Sequence, residues 1–219
     1  QPQNLVSYHL RLLRDGGLVR VTRSSFDGRD SYYHLDLDRC AERLADAGTA
    51  LHPALRPTAA PAAGRTDRQG GSPAVVFVCT GNSARSPIAE ALLRHRAGDR
   101  VSVTSAGTRP RPFLHPHAVR VLDEQYGIDL GGQRPRDLGS LSDRRFDHVI
   151  TLCDRARETL PELRHQPRRR HWSIADPAAA GDAEESGYSA FQRVAADIDT
   201  RVRHLLPVLD PVHHRGGFA

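Results

Sequence analysis

The stretch Cys79-Thr80-Gly81-Asn82-Ser83-Ala84-Arg85-Ser86-Pro87 follows the apolar run Ala74 to Val78 and precedes a segment with helical spacing. A loop of small residues that ends in a helix turns successive backbone N–H groups into one concavity, and the helix dipole adds positive potential there. Such a nest suits a tetrahedral oxyanion. Thr80, Gly81, Asn82, Ser83, Ala84, Arg85 and Ser86 form the candidate cradle, with Arg85 supplying a planar fork of donors to the anion's equatorial oxygens. Cys79 in that field is expected to be held as a thiolate and to act as a nucleophile. Gly81 permits close approach of the backbone, and the side chains of Asn82 and Ser86 can brace the loop or the sulfur. The competing reading, a core cysteine at a strand end, does not account for Cys, five spacers, Arg, Ser and Pro at one strand-to-helix junction. A Walker-type nucleotide loop is excluded, because it needs a lysine and the chain has none.

Working outward, the run Ala74–Val78 suits a strand buried on both faces of a parallel sheet. Val101–Ser105, His148–Leu152 and Arg170–Ile174 are further strand candidates. Helices are expected from Pro87, over Pro116–Tyr126, over Arg155–Leu160 and over Ala190–Leu206. Strands alternating with helices imply a doubly wound α/β domain over residues 74–208, in which ligands sit beyond the carboxyl ends of the strands. Cys79, Cys153 and Asp176 all fall close to such ends. Residues 52–73 are rich in Pro, Ala and Gly and read as a linker. Residues 209–219 read as a tail.

The net charge of +5 permits an anionic partner without requiring one. No apolar run is long enough to suggest a membrane span. Three widely spaced cysteines, Cys40, Cys79 and Cys153, make neither a disulfide framework nor a zinc ribbon, so no metal is expected. A reduced, cytoplasmic compartment is the expectation, with any disulfide catalytic.

The segment Cys79–Glu90 (CTGNSARSPIAE) resembles the signature of low-molecular-weight tyrosine phosphatases and of the arsenate reductases that share their fold. The resemblance extends over residues 74–208, through Ser105-Ala106-Gly107-Thr108, Thr151-Leu152-Cys153-Asp154 and His171-Trp172-Ser173-Ile174-Ala175-Asp176-Pro177-Ala178. It implies a parallel four-stranded sheet flanked by helices, Cys79 as nucleophile and Asp176 as general acid. Phosphatases of this fold generally place an aromatic soon after Asp-Pro to flank the substrate ring; Asp176-Pro177 is followed by Ala178-Ala179-Ala180-Gly181. A small inorganic anion therefore fits better, and Cys153 resembles the second thiol of the reductase branch. Thioredoxin-coupled relatives carry one more cysteine in a Cys-Pro pair seven residues on, where this chain has Leu160-Pro161. Two routes stay open: a Cys79–Cys153 disulfide reduced from outside, or resolution by an external thiol. The expected reductant is thioredoxin, mycothiol or a glutathione/glutaredoxin system, with no bound cofactor. Hydrolysis of phosphate monoesters and a non-catalytic anion sensor in an arsenic-responsive regulator are the alternatives.

Before the linker, Val6, Leu10 and Leu13 recur on one helical face, expected to turn inward, and Gly16-Gly17 suits its end. Leu18–Val21, a turn over 24–29 and Ser31–Leu35 read as a hairpin. Leu37, Cys40, Ala41 and Leu44 restore helical spacing, with Cys40 expected in the core. Residues 1–51 resemble the recognition helix and wing of ArsR-type winged-helix repressors, a partial winged helix-turn-helix. That resemblance implies outward Asn4, Ser7, Tyr8 and Arg11 against DNA bases, and Arg20, Arg23 and Arg29 against phosphates. In such domains further helices precede this half and supply much of the dimer interface. The intact protein is thus compatible with a homodimer, and residues 1–219 are expected to bind an operator weakly or not at all.

Overall fold

The computed structural model describes residues 3–52, 72–161, 167–180 and 184–209. The side chain of Asn4, most of the linker and tail residues 210–219 lie outside the described residues. The chain divides into two compact units, Gln1–Gly71 and Ser72–Ala219.

The first unit is a helix, a hairpin and a helix. Helix α1 (Gln3–Asp15) ends at Gly17, whose φ of +71° suits glycine, and the Leu18 amide reaches back to the Leu13 carbonyl at 2.9 Å. Strands β1 (Val19–Arg23) and β2 (Ser31–Leu35) pair antiparallel, with Val19 opposite Leu35. Between them Ser24 Oγ accepts from the amides of Phe26 and Asp27, which folds the turn. Helix α2 (Leu37–Leu51) is capped by Asp36, whose carboxylate accepts from the Arg39 amide.

One expectation fails in this unit. Val6 and Leu13 on α1 are 44% and 38% exposed, and Leu44 on α2 is 72% exposed, so the apolar stripes do not turn inward. Cys40 is half-buried, its thiol 3.7 Å from the Leu18 carbonyl. Two helices and a two-stranded ribbon are too few layers to enclose both stripes. Among the described residues of this unit only Val19 and Tyr32 are buried apolar side chains.

The second unit is a three-layer α/β domain. Strands β3 (Ala74–Cys79), β4 (Ser102–Gly107), β5 (His148–Thr151) and β6 (Arg168–His171) form one parallel sheet in the order β4-β3-β5-β6. Central β3 has both neighbours and hydrophobic cover on each face, which is why Val75, Val76, Phe77 and Val78 are all fully buried. Helices α3 (Arg85–Ala97), α4 (Pro116–Tyr126), α5 (Asp154–Glu158) and α6 (Glu184–Leu209) flank it, α3 packing against β3, β4 and α6. Ile88, Leu92, Leu93, Leu122, Phe191 and Ile198 are fully buried among these layers, each side chain stabilising the fold by about 1.5–3 kcal/mol.

Several boundaries differ from the sequence expectation; α6, for one, begins at Glu184 rather than near Ala190. Helix α3 begins at Arg85, ahead of Pro87. Amides of a first helical turn have no intrahelical acceptor, so proline is tolerated there without losing a bond. Strand β6 is Arg168–His171, earlier than expected. It is an outer strand bonded on one side only, so it needs no apolar run, and the chain leaves the sheet near Ser173, at φ +43°. No described helix is long and apolar enough to cross a membrane.

Candidate active site

The site grows from the end of β3. Cys79 closes that strand and is 2% exposed, and the loop to α3 reverses sharply at Asn82, whose φ is +45°. The segment after β4 fixes the loop from one side. Amides of Thr108, Arg109, Arg111 and His115 donate to the carbonyls of Cys79, Thr80, Gly81 and Ser83, at 3.1, 2.8, 2.8 and 2.8 Å. With the carbonyls held there, the amides of Gly81, Ser83, Ala84 and Arg85 have no partner among the described residues. Gly107 makes this close approach possible. A Cβ there would lie 2.8 Å from the Thr80 carbonyl oxygen and 3.0 Å from the Asn82 nitrogen.

The sulfur has two donors of its own. Asn82 N–H points at Cys79 Sγ from 3.2 Å, and Ser86 Oγ lies 3.0 Å away. Asn82 Nδ2 donates to both Ser86 Oγ (2.9 Å) and Ser105 Oγ (2.8 Å), tying the loop to α3 and β4. Ser86 accepts from Asn82, so its own proton is available to the sulfur. The first turn of α3 begins beside this sulfur. Amide, hydroxyl and helix terminus all converge on one atom.

Arg85 spans the site. Its Nη1 donates to the Ile174 carbonyl at 3.1 Å and its Nη2 to Asp176 Oδ2 at 2.9 Å, joining α3 to the segment beyond β6. The Arg85 side chain is 10% exposed and that of Asp176 49%, so the carboxylate sits at the mouth. After it, Pro177–Ala180 forms a short 3₁₀ turn with no aromatic.

Cys153 is buried at the start of α5, with Sγ 3.3 Å from Thr80 Oγ1 of the loop. Next to it, Asp154 Oδ1 accepts from Ser173 Oγ at 2.6 Å and lies 3.1 Å from His171 Nε2, while His171 Nδ1 is 2.8 Å from Thr151 Oγ1. Burial lowers the His171 pKa from its ordinary value; Asp154 works against that without reversing it. The imidazole is therefore neutral at neutral pH and links β5, α5 and β6 by hydrogen bonds. All three cysteines are free thiols.

The structure thus gathers Cys79, Thr80, Gly81, Asn82, Ser83, Ala84, Arg85, Ser86, Cys153 and Asp176 on one rim. Asp176 follows β6 by a longer excursion than its sequence position suggested. Ser7, Tyr8, Arg11, Arg20, Arg23 and Arg29 lie on the first unit, exposed, with Arg20 3.6 Å from Asp36 and Arg11 3.7 Å from Asp15. Among the described residues no group of three or more His, Cys, Asp or Glu could hold a metal ion. Sequence reasoning missed the clamp by residues 108–115 and the buried carboxylate of Glu90, which accepts from Ser105 Oγ at 2.5 Å. Its only sequence signal was a glutamate within the otherwise apolar run Ile88-Ala89-Glu90-Ala91-Leu92-Leu93.

Several arsenate reductases are similar to this chain. An arsenate reductase of Bacillus subtilis is 37% identical over 129 residues, 59% of this chain and 91% of its own length. A solved arsenate reductase in its phosphate-binding state superposes with a TM-score of 0.55 at 28% identity, over 63% of this chain and 99% of its own. The arsenate reductase of Archaeoglobus fulgidus does so at 0.51 and 30%, over 61% and 98%. The family model for low molecular weight phosphotyrosine protein phosphatases matches residues 74–214, and to that enzyme family the chain belongs.

Proposed function

We propose that the second unit reduces arsenate to arsenite, with Cys79 as nucleophile and an external thiol as electron source. The observation that carries this reading is the pairing of an anion loop around one buried thiol with a second, Cys153, hydrogen-bonded to the same loop through Thr80. A phosphatase needs only the first thiol. The absence of an aromatic over 177–180 and the similarity to arsenate reductases support the same choice.

In the proposed reaction the free loop amides and Arg85 bind the arsenate oxygens. Cys79 thiolate attacks arsenic, an As–O bond breaks, and Asp176 protonates the departing oxygen, which leaves as water. A second thiolate then attacks Cys79 Sγ. The S–As bond breaks with its electron pair staying on arsenic, so arsenic falls from the +5 to the +3 state while two thiols become a disulfide. Cys153 is the in-chain second thiol, and thioredoxin, mycothiol or a glutathione/glutaredoxin system regenerates the pair. Its half-exposed position at the mouth, tied to Arg85, supports this role for Asp176.

The test is arsenite release by wild type, Cys79→Ser and Cys153→Ser with each thiol system, beside hydrolysis of p-nitrophenyl phosphate. Arsenite release that depends on Cys79 supports the assignment. Phosphate-ester turnover without arsenate reduction replaces it with the phosphatase reading, and neither activity leaves the anion-sensor reading.

For the first unit we propose an ArsR-like winged-helix module. The antiparallel hairpin between two helices and the exposed Ser7, Tyr8, Arg11, Arg20, Arg23 and Arg29 support it. Residues 1–219 are expected to bind operator DNA weakly; tight, sequence-specific binding at physiological salt contradicts that.

A further inference from the structure

Arg109-Pro110-Arg111-Pro112 runs beside the anion loop. The amides of Arg109 and Arg111 donate to the Thr80 and Gly81 carbonyls, each at 2.8 Å. The two prolines have no N–H, fix their own φ and restrict the residue before them. Both donors of this segment therefore go to the loop, and the segment has little freedom to leave it. A Cβ on Gly81 would lie 3.1 Å from Arg111 Cγ, so the stem of Arg111 rests against the loop backbone.

Both arginines are exposed, and among the described residues neither side chain has a hydrogen bond or an ion pair. Exposed arginines elsewhere in this unit are matched, Arg96 with Asp199 and Arg120 with Glu124. The mismatch at the loop is written in the sequence: residues 74–89 and 100–122, which supply the loop and its clamp, contain no Asp or Glu.

The charges of the site call for such cations. Arg85 is cancelled by Asp176, and the proposed reaction needs Cys79 as a thiolate, whose charge is then uncancelled. An incoming arsenate or phosphate adds more charge of the same sign, and moving a proton between Asp176 and the anion does not alter the total. The loop amides and helix terminus offset only part of it.

We propose that Arg109 and Arg111 act by charge as specificity-determining residues, drawing the oxyanion to the loop against the repulsion of the thiolate and Asp176. The proposal deepens the proposed function: it rests on an anion-binding loop around a Cys79 thiolate, and not on which oxyanion is turned over.

The paired change Arg109→Gln with Arg111→Gln tests it, since Gln keeps the Cγ that lies on Gly81 and removes the charge. The readout is the phosphate concentration that half-protects Cys79 from alkylation by iodoacetamide, followed by the mass of its peptide. In low salt that concentration is expected to rise about tenfold, and in about 0.5 M salt, where exposed charges are screened, less than about twofold. KM for arsenate should rise in parallel, with kcat within about twofold. The pair Arg109→Lys with Arg111→Lys keeps the charge and loses the planar fork, and should stay within about twofold of wild type. Wild-type protection and salt dependence in the Gln pair overturn the proposal, as does a Lys pair that behaves like the Gln pair. Unchanged protection together with slower reduction by thioredoxin assigns the arginines to the reductant, and also overturns it. Should the Gln pair not fold, Arg111→Gln alone decides, with about a threefold rise expected and no rise overturning the proposal. A wild type that phosphate protects but that reduces no arsenate refutes the proposed function and leaves this one standing.

Discussion

Arg85 Nη2 donates to Asp176 Oδ2 at 2.9 Å, from a buried guanidinium to a carboxylate half in solvent. This one contact holds the candidate acid over the loop that carries the candidate nucleophile, although 91 residues separate the two. Its two ends are unequal in what they do. Arg85 also grips the Ile174 carbonyl and so shapes the rim, whereas Asp176 has an open side on which to exchange a proton.

Asp176→Asn keeps the contact with Arg85 and removes the proton donor. A general acid contributes about 10²–10⁴-fold, so kcat for arsenate reduction is expected to fall in that range while the melting temperature stays near wild type. Steady-state kinetics with a coupled thiol system reads the first and a thermal scan the second. An unchanged kcat removes Asp176 from the reaction.

Gly107→Ala pushes a methyl group into the Thr80 carbonyl and the Asn82 amide, both backbone atoms that cannot swing aside. Overpacking of this kind costs about 1–3 kcal/mol. The substitution should lower the urea midpoint and also weaken competitive inhibition by phosphate, since the loop itself must shift. A protein of unaltered midpoint and phosphate affinity shows that the strand and the loop are less tightly apposed than described.

His171 gives a pH signature. Its folded-state pKa lies below the ordinary 6.5 because burial penalises the imidazolium. The unfolded chain therefore binds the extra proton first as pH drops. Stability contributed by the neutral ring is complete above about pH 6.5 and is lost as pH falls through the lower folded value. Comparing wild type with His171→Asn from pH 8 to 5, the wild type is expected to lose stability more steeply below pH 6.5. Parallel profiles would mean that the ring titrates alike in both states.

Cys153→Ser keeps a hydroxyl within reach of Thr80 and removes the second sulfur. With thioredoxin as sole reductant, the enzyme is expected to stall at about one thiol–arsenate adduct per molecule and to release no arsenite. Rescue by a small thiol at millimolar concentration would show that the adduct is open to attack from outside. Undiminished turnover with thioredoxin takes Cys153 out of the relay.

The loop was readable in the sequence because its determinants are local. Cys79, Asn82, Arg85, Ser86 and Pro87 sit within one strand-to-helix junction. What sustains the loop was not readable, because it comes from afar. Gln133 and Arg136 reach Glu90 across 43 and 46 residues, and in sequence each looks like an ordinary solvated polar group. Gly107 was noticed only as part of a resemblance, since the need for a missing side chain appears only once β4 lies beside Thr80 and Asn82. The stripe of Val6, Leu10 and Leu13 has the period of a core-facing helix, yet periodicity states which residues share a face and not whether anything covers it.

The make-up of β6 has a consequence for solubility. Arg168, Arg169 and Arg170 put three guanidinium groups in succession along the free margin of the sheet, beside a strand of only four residues. A second molecule that tried to add its own strand there would bring cation against cation with few bonds in return. The sheet can thus end in water at this margin without acting as a template for its own aggregation.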